Sequence, residues 1–406
     1  MEPGDKLPAA LRQKVHAIVA KFAADPQVPG LMVGIIDHGI TEPLSYGSVQ
    51  LGGTSPPHGD TLFEIGSITK VFTTLLLADM AERGEVELDD PVQKYLPPEG
   101  QLPGSAGAAI TLRHLATHTS GLPRLPGNLD DPSQNPGDPY AHYTEEALLA
   151  FLAGFRPKRK PGRINEYSNL GSGLLGYLLA RHAWRSLEAL LQERVLAPLG
   201  MHDTALTLVP EAAARLAPAH SGGKEVSHWD LGILAGAGGL RSSTNDMLRF
   251  LAAQLGQGGA PLQPAIQQSH QVQFGTRFAL SARYYLVRLA IGLSLAAALA
   301  FTLLPGVHVL IRILVTLVMW LVLESFLGRL LDPRLQPIAL GWHLDQPGVA
   351  RQPILWHNGG TGGGRSFLAL SREQGVGVVV LTNCDRDVDS VGNQILAALL
   401  EGSSGS

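Results

Sequence analysis

Cysteine is all but absent: the 406 residues hold one, Cys384. A lone thiol excludes an intramolecular disulfide and a cysteine-based zinc site. Cys384 follows the apolar run Val378-Val379-Val380-Leu381 and reads as a buried, inert side chain. An excess of positive charge is also missing. Lys and Arg number 31 against 35 Asp and Glu, a net charge of −4, which argues against a general nucleic-acid binder. The chain has no Gly-rich lysine loop for phosphates and no Gly-x-Ser-x-Gly elbow. His114 and His118 have the i, i+4 spacing that suits zinc, but Leu115 stands where a metalloprotease carries Glu. They read as supports of a site, and neither a metal nor a cofactor is expected. No internal repeat is visible. Hydrophobic residues make up 45%, enough for one large domain or two smaller ones with real cores.

Leu7 to Phe22 reads as an amphipathic helix, without the continuous apolar core of an export signal. Leu31–Asp37 and Leu44–Gln50 read as two strands joined by a Gly/Pro turn. From Thr61 to about Leu255 the pattern is mostly helical. The clear helices are Leu170–His182, Ser186–Leu196 and Thr244–Leu255, the last capped by Ser243 or Thr244. Pro123–Pro139 is a loop long enough to wall a site. Strands return at Ala339–Leu344, Ser366–Leu370 and Val376–Leu381, and a helix runs from about Val388 to Leu400. The expected fold class is α/β (α+β), an antiparallel sheet built from both termini and flanked by helices. An all-helical domain and a hydrophobic helical hairpin are inserted in it. Residues 1–60 and 335–401 form the sheet domain, 61–275 the helical domain and 276–334 the insertion. Residues 402–406 read as a linker or tag scar.

From about Tyr284 to Leu327 the chain is almost wholly apolar, broken by Pro305-Gly306. This is long enough for two membrane crossings of roughly 20 residues each. In the second half, fourteen large aliphatic and Phe residues contribute roughly −6 kcal/mol to insertion, against about +3 for the central Arg312. If both flanks build one site, the number of crossings must be even, which selects a hairpin. A buried hairpin in an oligomer core and a hairpin dipping into one leaflet are the alternatives. The lipid bilayer is therefore an expected partner through about 284–327, and nucleic acid is not. The oligomeric state is left open.

Ser67-Ile68-Thr69-Lys70 places a hydroxyl and an amine on one face at the mouth of an apolar helix. The helix dipole disfavours a protonated Lys70, which leaves the amine able to take a proton from Ser67. Ser-x-x-Lys is expected about once by chance in such a chain. A second copy, Ser221-Gly-Gly-Lys224, lies in a Gly-rich stretch that reads as a plain loop. Tyr167-Ser168-Asn169 is the one Tyr-x-Asn in the chain. Its phenol suits proton transfer to a leaving group, and its amide suits binding a carbonyl. His357-Asn358-Gly359-Gly360 precedes more glycine and a strand, where backbone can approach a ligand. The N–H groups of Gly360 and Ser67 are candidates for an oxyanion hole. His220-Ser221-Gly222 also fits His-x-Gly, but falls in the region read as helical.

With these motifs the chain resembles the serine β-lactamase and penicillin-binding-protein superfamily. It is most similar to the class C β-lactamase-related branch, which includes esterases, D-aminopeptidases and thioesterase-like cyclases. Leu115-Ala-Thr-His-Thr-Ser-Gly-Leu-Pro123, Pro161-Gly-Arg163, Pro198-Leu-Gly-Met201, Ala237-Gly-Gly-Leu240 and Leu340-Gly-Trp342 carry the resemblance further. It covers about 7–275 and 335–400. The resemblance implies that Ser67 is acylated, that Lys70 activates it, and that Tyr167 protonates the leaving group or activates water. It also implies that Asn169 orients Lys70 and the substrate amide, with Gly359 and Gly360 beside the acyl oxygen. His357 stands where many members carry Lys.

The implied function is a serine hydrolase acting through an acyl-enzyme on a small-molecule or peptide ester or amide. A D-amino-acid peptide and a β-lactam belong to that class. An acyltransferase or thioesterase-like cyclase and a catalytically silent, membrane-anchored receptor or scaffold are the alternatives. Neither Lys-Thr-Gly nor Lys-Ser-Gly occurs, so a permanent cation for a substrate carboxylate is expected to be missing. That disfavours efficient β-lactam turnover and D-Ala-D-Ala carboxypeptidase action and favours ester, amide or acyl-transfer chemistry. The basic run Arg156, Lys158, Arg159, Lys160, Arg163 reads as a solvated loop or a contact for anionic lipid. Arg277, Arg283, Arg288, Arg329 and Arg334 flank the apolar segment. They point to a two-pass protein of a bacterial inner membrane with its catalytic domain on the cytoplasmic side.

Overall fold

The structure is a computed structural model and describes residues 6–104, 109–129, 137–275, 336–345 and 353–403. Its strands in chain order are β1 Gly30–Asp37, β2 Ile40–Gly47, β3 Leu62–Glu64, β4 Ala219–Ser221, β5 Lys224–Val226 and β6 Arg241–Ser243. β7 His343–Asp345, β8 Ile354–Gly360, β9 Arg365–Ser371 and β10 Val376–Thr382 complete them. The helices are α1 Ala9–Ala23, α2 Thr69–Glu82, α3 Leu112–Ala116, α4 Glu145–Gly154 and α5 Asn169–His182. After them come α6 Leu187–Leu191, α7 Pro210–Ala213, α8 Thr244–Gln254, α9 Gln263–Ser269 and α10 Asp389–Ser403.

Six strands form one antiparallel sheet in the order β2-β1-β10-β9-β8-β7, so both ends of the chain build it. Side chains alternate across a sheet with period two. Leu31, Val33 and Ile35 of β1 and Val376, Val378 and Val380 of β10 therefore share a face with α1 and α10. Met32, Ile36, Val379 and Leu381 point the other way, into the larger core beneath α8 and α2. Both faces are covered, which is why these strands read as unbroken apolar runs. Gly34 and Gly377 lie under α8, where an added Cβ would come within 3.0 and 2.8 Å of Leu248 and Leu251. Their bareness lets the helix seat closely.

The sheet's first hairpin turns at His38-Gly39, both at positive φ, as a two-residue turn requires. Pro43, expected in the turn, lies inside β2. That is tolerated because β2 is an edge strand and proline's missing N–H faces no neighbour. The strand expected over Ala339–Leu344 shrinks to β7. Its earlier residues spend their backbone bonds on a tight turn (Ala339 N to Trp342 O) and on Ala116 and Ser269. β8 went unread because Trp-His-Asn-Gly-Gly has little strand propensity; its pairing with β9 holds it extended. The helix expected over Ser186–Leu196 is α6 followed by a widened π turn at Gln192–Leu196. Ser243 caps α8, its hydroxyl accepting from Asp246 N.

Among the described residues no helix is long and apolar enough to cross a membrane. The stretch 284–327, on which the hairpin expectation rests, lies outside them. The nearest described residues on either side meet: Phe274 and Ile338 form an antiparallel bridge.

Candidate active site

Gly66–Ile68 forms a tight 3-10 turn that leads directly into α2. Every residue of α2 from Thr69 to Met80 is buried, which explains why its apolar residues are not confined to one face. Lys70 is carried into this core with no exposed surface. Its Nζ donates to Ser67 Oγ at 2.9 Å and to the Ala237 carbonyl at 2.6 Å. Burial lowers its pKa well below the usual lysine value, and the nearby Arg124 charge pushes the same way. The shift favours the neutral amine, the form that can act as a base toward the hydroxyl it contacts.

Tyr167 lies above this pair, with Lys70 Nζ 4.8 Å from its ring centroid. Arg124 sits 5.1 Å from the same ring. Burial raises the phenol's pKa; Ser67 and Arg124 pull it back without overcoming burial, so the phenol stays protonated. His118 packs its ring 4.5 Å from Tyr167, and its Nδ1 accepts from Ser168 N at 3.2 Å. Ser168 caps α5 through Gly171 N, which fixes where the Tyr-x-Asn turn points. Asn169 was expected to orient Lys70. Its Nδ2 instead donates to Tyr140 Oη at 3.2 Å, while Oδ1 is buried without a partner. The Ala237 carbonyl holds the lysine.

β8 closes the third side. The approach of its end to the nucleophile turn is very close: a Cβ on Gly66 would lie 2.6 Å from Gly360 N, and one on Gly359 would lie 2.1 Å from Ile65 O. Gly66 also has φ +49, in the region that favours glycine. The backbones carrying Ser67 N and Gly360 N are thereby brought side by side. His357 is fully buried and does not wall the cleft. Its Nδ1 donates to the Asn358 carbonyl at 2.6 Å, leaving Nε2 as a buried acceptor without a partner. Burial, then His343 and Lys70, lower its pKa well below the usual imidazole value.

These groups border a cleft of about 920 Å3 whose walls include Ser67, Tyr167, Asn169, Gly359 and Gly360. Several of its residues escaped the sequence reading. Arg124 follows directly on the stretch ending at Pro123, and His343 directly on Leu340-Gly-Trp342, so adjacency was the available signal. Tyr140 and Arg365 carried none. His343 is held near neutrality by burial, which pulls its pKa down to about 4 with help from Lys70. The two arginines share the cleft wall with Asp385, Asp387 and Asp389. The expectation of a missing cation fails here, because two guanidinia line the cleft although no motif lysine is present.

The decoys fall elsewhere. Ser221 and Lys224 face each other across the β4–β5 hairpin, with Gly222 and Gly223 at its turn, and Ser221 Oγ donates to Asp385. His220, read as helical, lies on β4 and contacts the Asn383 carbonyl. His114 completes a capping box with Thr111 at the start of α3.

A family model described as Beta-lactamase matches residues 15–401. The D-alanyl-D-alanine-carboxypeptidase/endopeptidase AmpH of Escherichia coli (strain K12) is 34% identical over 227 residues, 56% of this chain and 57% of that protein. The match thus spans little more than half of that relative's length. A beta-lactamase of Pseudomonas fluorescens is 27% identical over 380 residues, 92% of this chain and 93% of that one. Among solved structures, a class C beta-lactamase from Rhodobacter sphaeroides matches with a TM-score of 0.69 and 26% identity, covering 96% of this chain and 99% of that one. Another class C beta-lactamase reaches 0.72 at 21% identity over 98% of both chains, a likeness of fold.

Proposed function

The chain belongs to the beta-lactamase family, and on that footing we propose that it is a serine hydrolase working through an acyl-enzyme. One observation carries the proposal: a fully buried amine, its pKa pushed well down by burial, donates to the Ser67 hydroxyl at 2.9 Å. Ser67 Oγ attacks the acyl carbon as its proton passes to Lys70 Nζ. The developing oxyanion lies where Ser67 N and Gly360 N converge, and one such donor contributes about 3–4 kcal/mol in the transition state. Tyr167, protonated and beside both groups, is placed to hand a proton to the leaving group. Water then attacks the ester on Ser67, and Lys70 and Tyr167 exchange roles as acid and base.

The substrate class is an ester or amide of a small molecule or peptide, with D-alanyl peptides and β-lactams inside it. The names of the relatives support this, and so do Arg124 and Arg365, which suit a substrate carboxylate. A fluorophosphonate or fluorescent penicillin should label the protein stoichiometrically and fail on Ser67→Ala. Equal labelling of the two would sink the proposal. Nitrocefin, D-amino-acid amides and p-nitrophenyl esters, each run against Ser67→Ala, then sort the acyl group.

The proposal extends to location: a two-pass anchor through about 284–327 tethers the hydrolase to a membrane, its catalytic domain on the cytoplasmic side. The apolar sequence supports this, and so does the Phe274–Ile338 bridge, since flanks that meet require an even number of crossings. The arginine-rich flanks favour the cytoplasmic side.

A further inference from the structure

The geometry points to a second surface, the basic loop 156–163, which docks on the anionic headgroups of a bilayer. This deepens the anchor reading above and rests on it. Arg156, Lys158, Arg159, Lys160 and Arg163 are all exposed. Arg159 pairs with Glu166 at 2.8 Å; the other four have no acidic or side-chain hydrogen-bond partner among the described residues. Five cations in eight residues repel one another. Nothing in the active-site chemistry uses them.

Their position gives the charge a use. Gly162 N donates to the Thr119 carbonyl and Glu166 N to the His118 carbonyl, which pins the loop to the segment following α3. His114 of α3 lies against the loop: a Cβ on Gly162 would stand 2.9 Å from His114 Nε2. Arg113, the next residue back, reaches the Gln273 side chain. Gln273 N and Phe274 N both donate to the Ile338 carbonyl, at the point where the chain departs toward and returns from the apolar stretch. One five-residue helix therefore touches both the basic loop and the root of the insertion. A recess of about 260 Å3 between the loop and Gly121–Pro123 is rimmed by Arg156, Lys158 and Lys160.

A hairpin held in a bilayer brings its root to the headgroup level. The loop, joined to that root through α3, then faces a sheet of phosphates. Each Lys or Arg at an anionic surface shifts the docking equilibrium about fivefold. The four unpaired cations act together, because a Debye length of about 10 Å at 0.1 M salt spans the loop. Net charge over the whole chain is −4, so the attraction belongs to this patch and not to the protein at large.

The test uses the full chain in nanodiscs of phosphatidylcholine alone or with 30% phosphatidylglycerol, a fraction chosen to give a surface charge of roughly the natural order. Hydrogen exchange over 156–166 is read in each. Docking predicts at least about tenfold slower exchange in the anionic discs at 0.1 M salt, restored by 0.5 M salt. The slowing disappears in the variant Arg156→Gln/Lys158→Gln/Lys160→Gln/Arg163→Gln, whose ester hydrolysis in neutral discs matches the parent. Equal exchange in the two discs overturns the docking surface while leaving the anchor intact. Slowing by inorganic phosphate in neutral discs overturns it too, as that marks a free-anion site. Association with neither disc overturns anchor and docking together.

Discussion

At the scale of single residues, the site works by denying water to charge. Burial pushes the pKa of Lys70 well down because no solvent reaches it, and Arg124, beside the same Tyr167 ring, adds a like charge. No salt bridge of Arg124 is found among the described residues, and its charge lowers the pKa of the base. Hydrolysis that needs neutral Lys70 rises with pH through that amine's pKa. Arg124→Gln removes the like charge and lets Lys70 hold its proton longer. The acidic limb of the kcat/KM profile should then move to higher pH. Arg365→Gln, whose guanidinium bonds the Thr361 and Gly364 carbonyls, should leave the limb in place. An unmoved limb in Arg124→Gln would show that burial alone sets the base. The Ser-Lys pair was legible because i, i+3 neighbours on a helix meet whatever the rest of the fold does. Arg124 was not, because Lys70, the amine it acts on, lies 54 positions earlier in the chain.

At the scale of elements, the contact between the nucleophile turn and β8 is the constraint. Gly66→Ala would drive a Cβ to 2.6 Å from Gly360 N and hold a strained positive φ, costing about 1–2 kcal/mol in backbone energy alone. The turn or the strand must shift, and the two oxyanion donors part. A fall in kcat of about 10²–10³ is expected, the loss of one such donor. Acylation bursts with p-nitrophenyl acetate measure it, and circular dichroism checks the fold. A kcat within threefold of the parent would place the hole elsewhere. β1, β9, β10 and the helices α1, α5 and α10 were readable because their periodicity is local and strong. β8 was hidden, since glycine, asparagine and histidine become a strand only when β9 supplies the ladder.

At the scale of the whole molecule, a cluster of neutral imidazoles ties stability to pH. His118, His343 and His357 surround Tyr167, and burial lowers the pKa of each. In the unfolded chain each takes a proton near pH 6.5; folded His343 resists to about 4. Between those values the unfolded state binds more protons, so stability present above pH 6.5 is lost as pH falls toward 4. By pH 5 His343 alone removes about 2 kcal/mol. Urea unfolding at pH 7.5 and pH 5 should therefore show His343→Gln gaining on the parent by up to that amount on acidification. A gap independent of pH would mean that His343 charges freely in the fold.

The chain's own text was enough for whatever neighbouring residues decide: helix ends and their caps, apolar runs, the nucleophile with its base, the membership in a family of ordered motifs. Those features depend on backbone hydrogen bonds and side-chain spacing within a few turns. Folding was needed to say that Ala237 and not Asn169 holds the lysine, that two arginines line a cleft whose motifs lack a lysine, and that α3 touches both a basic loop and the residues bordering the apolar stretch. Each of these joins residues brought together by the order of strands in one sheet and the packing of helices against it. No short window of sequence carries that distance information.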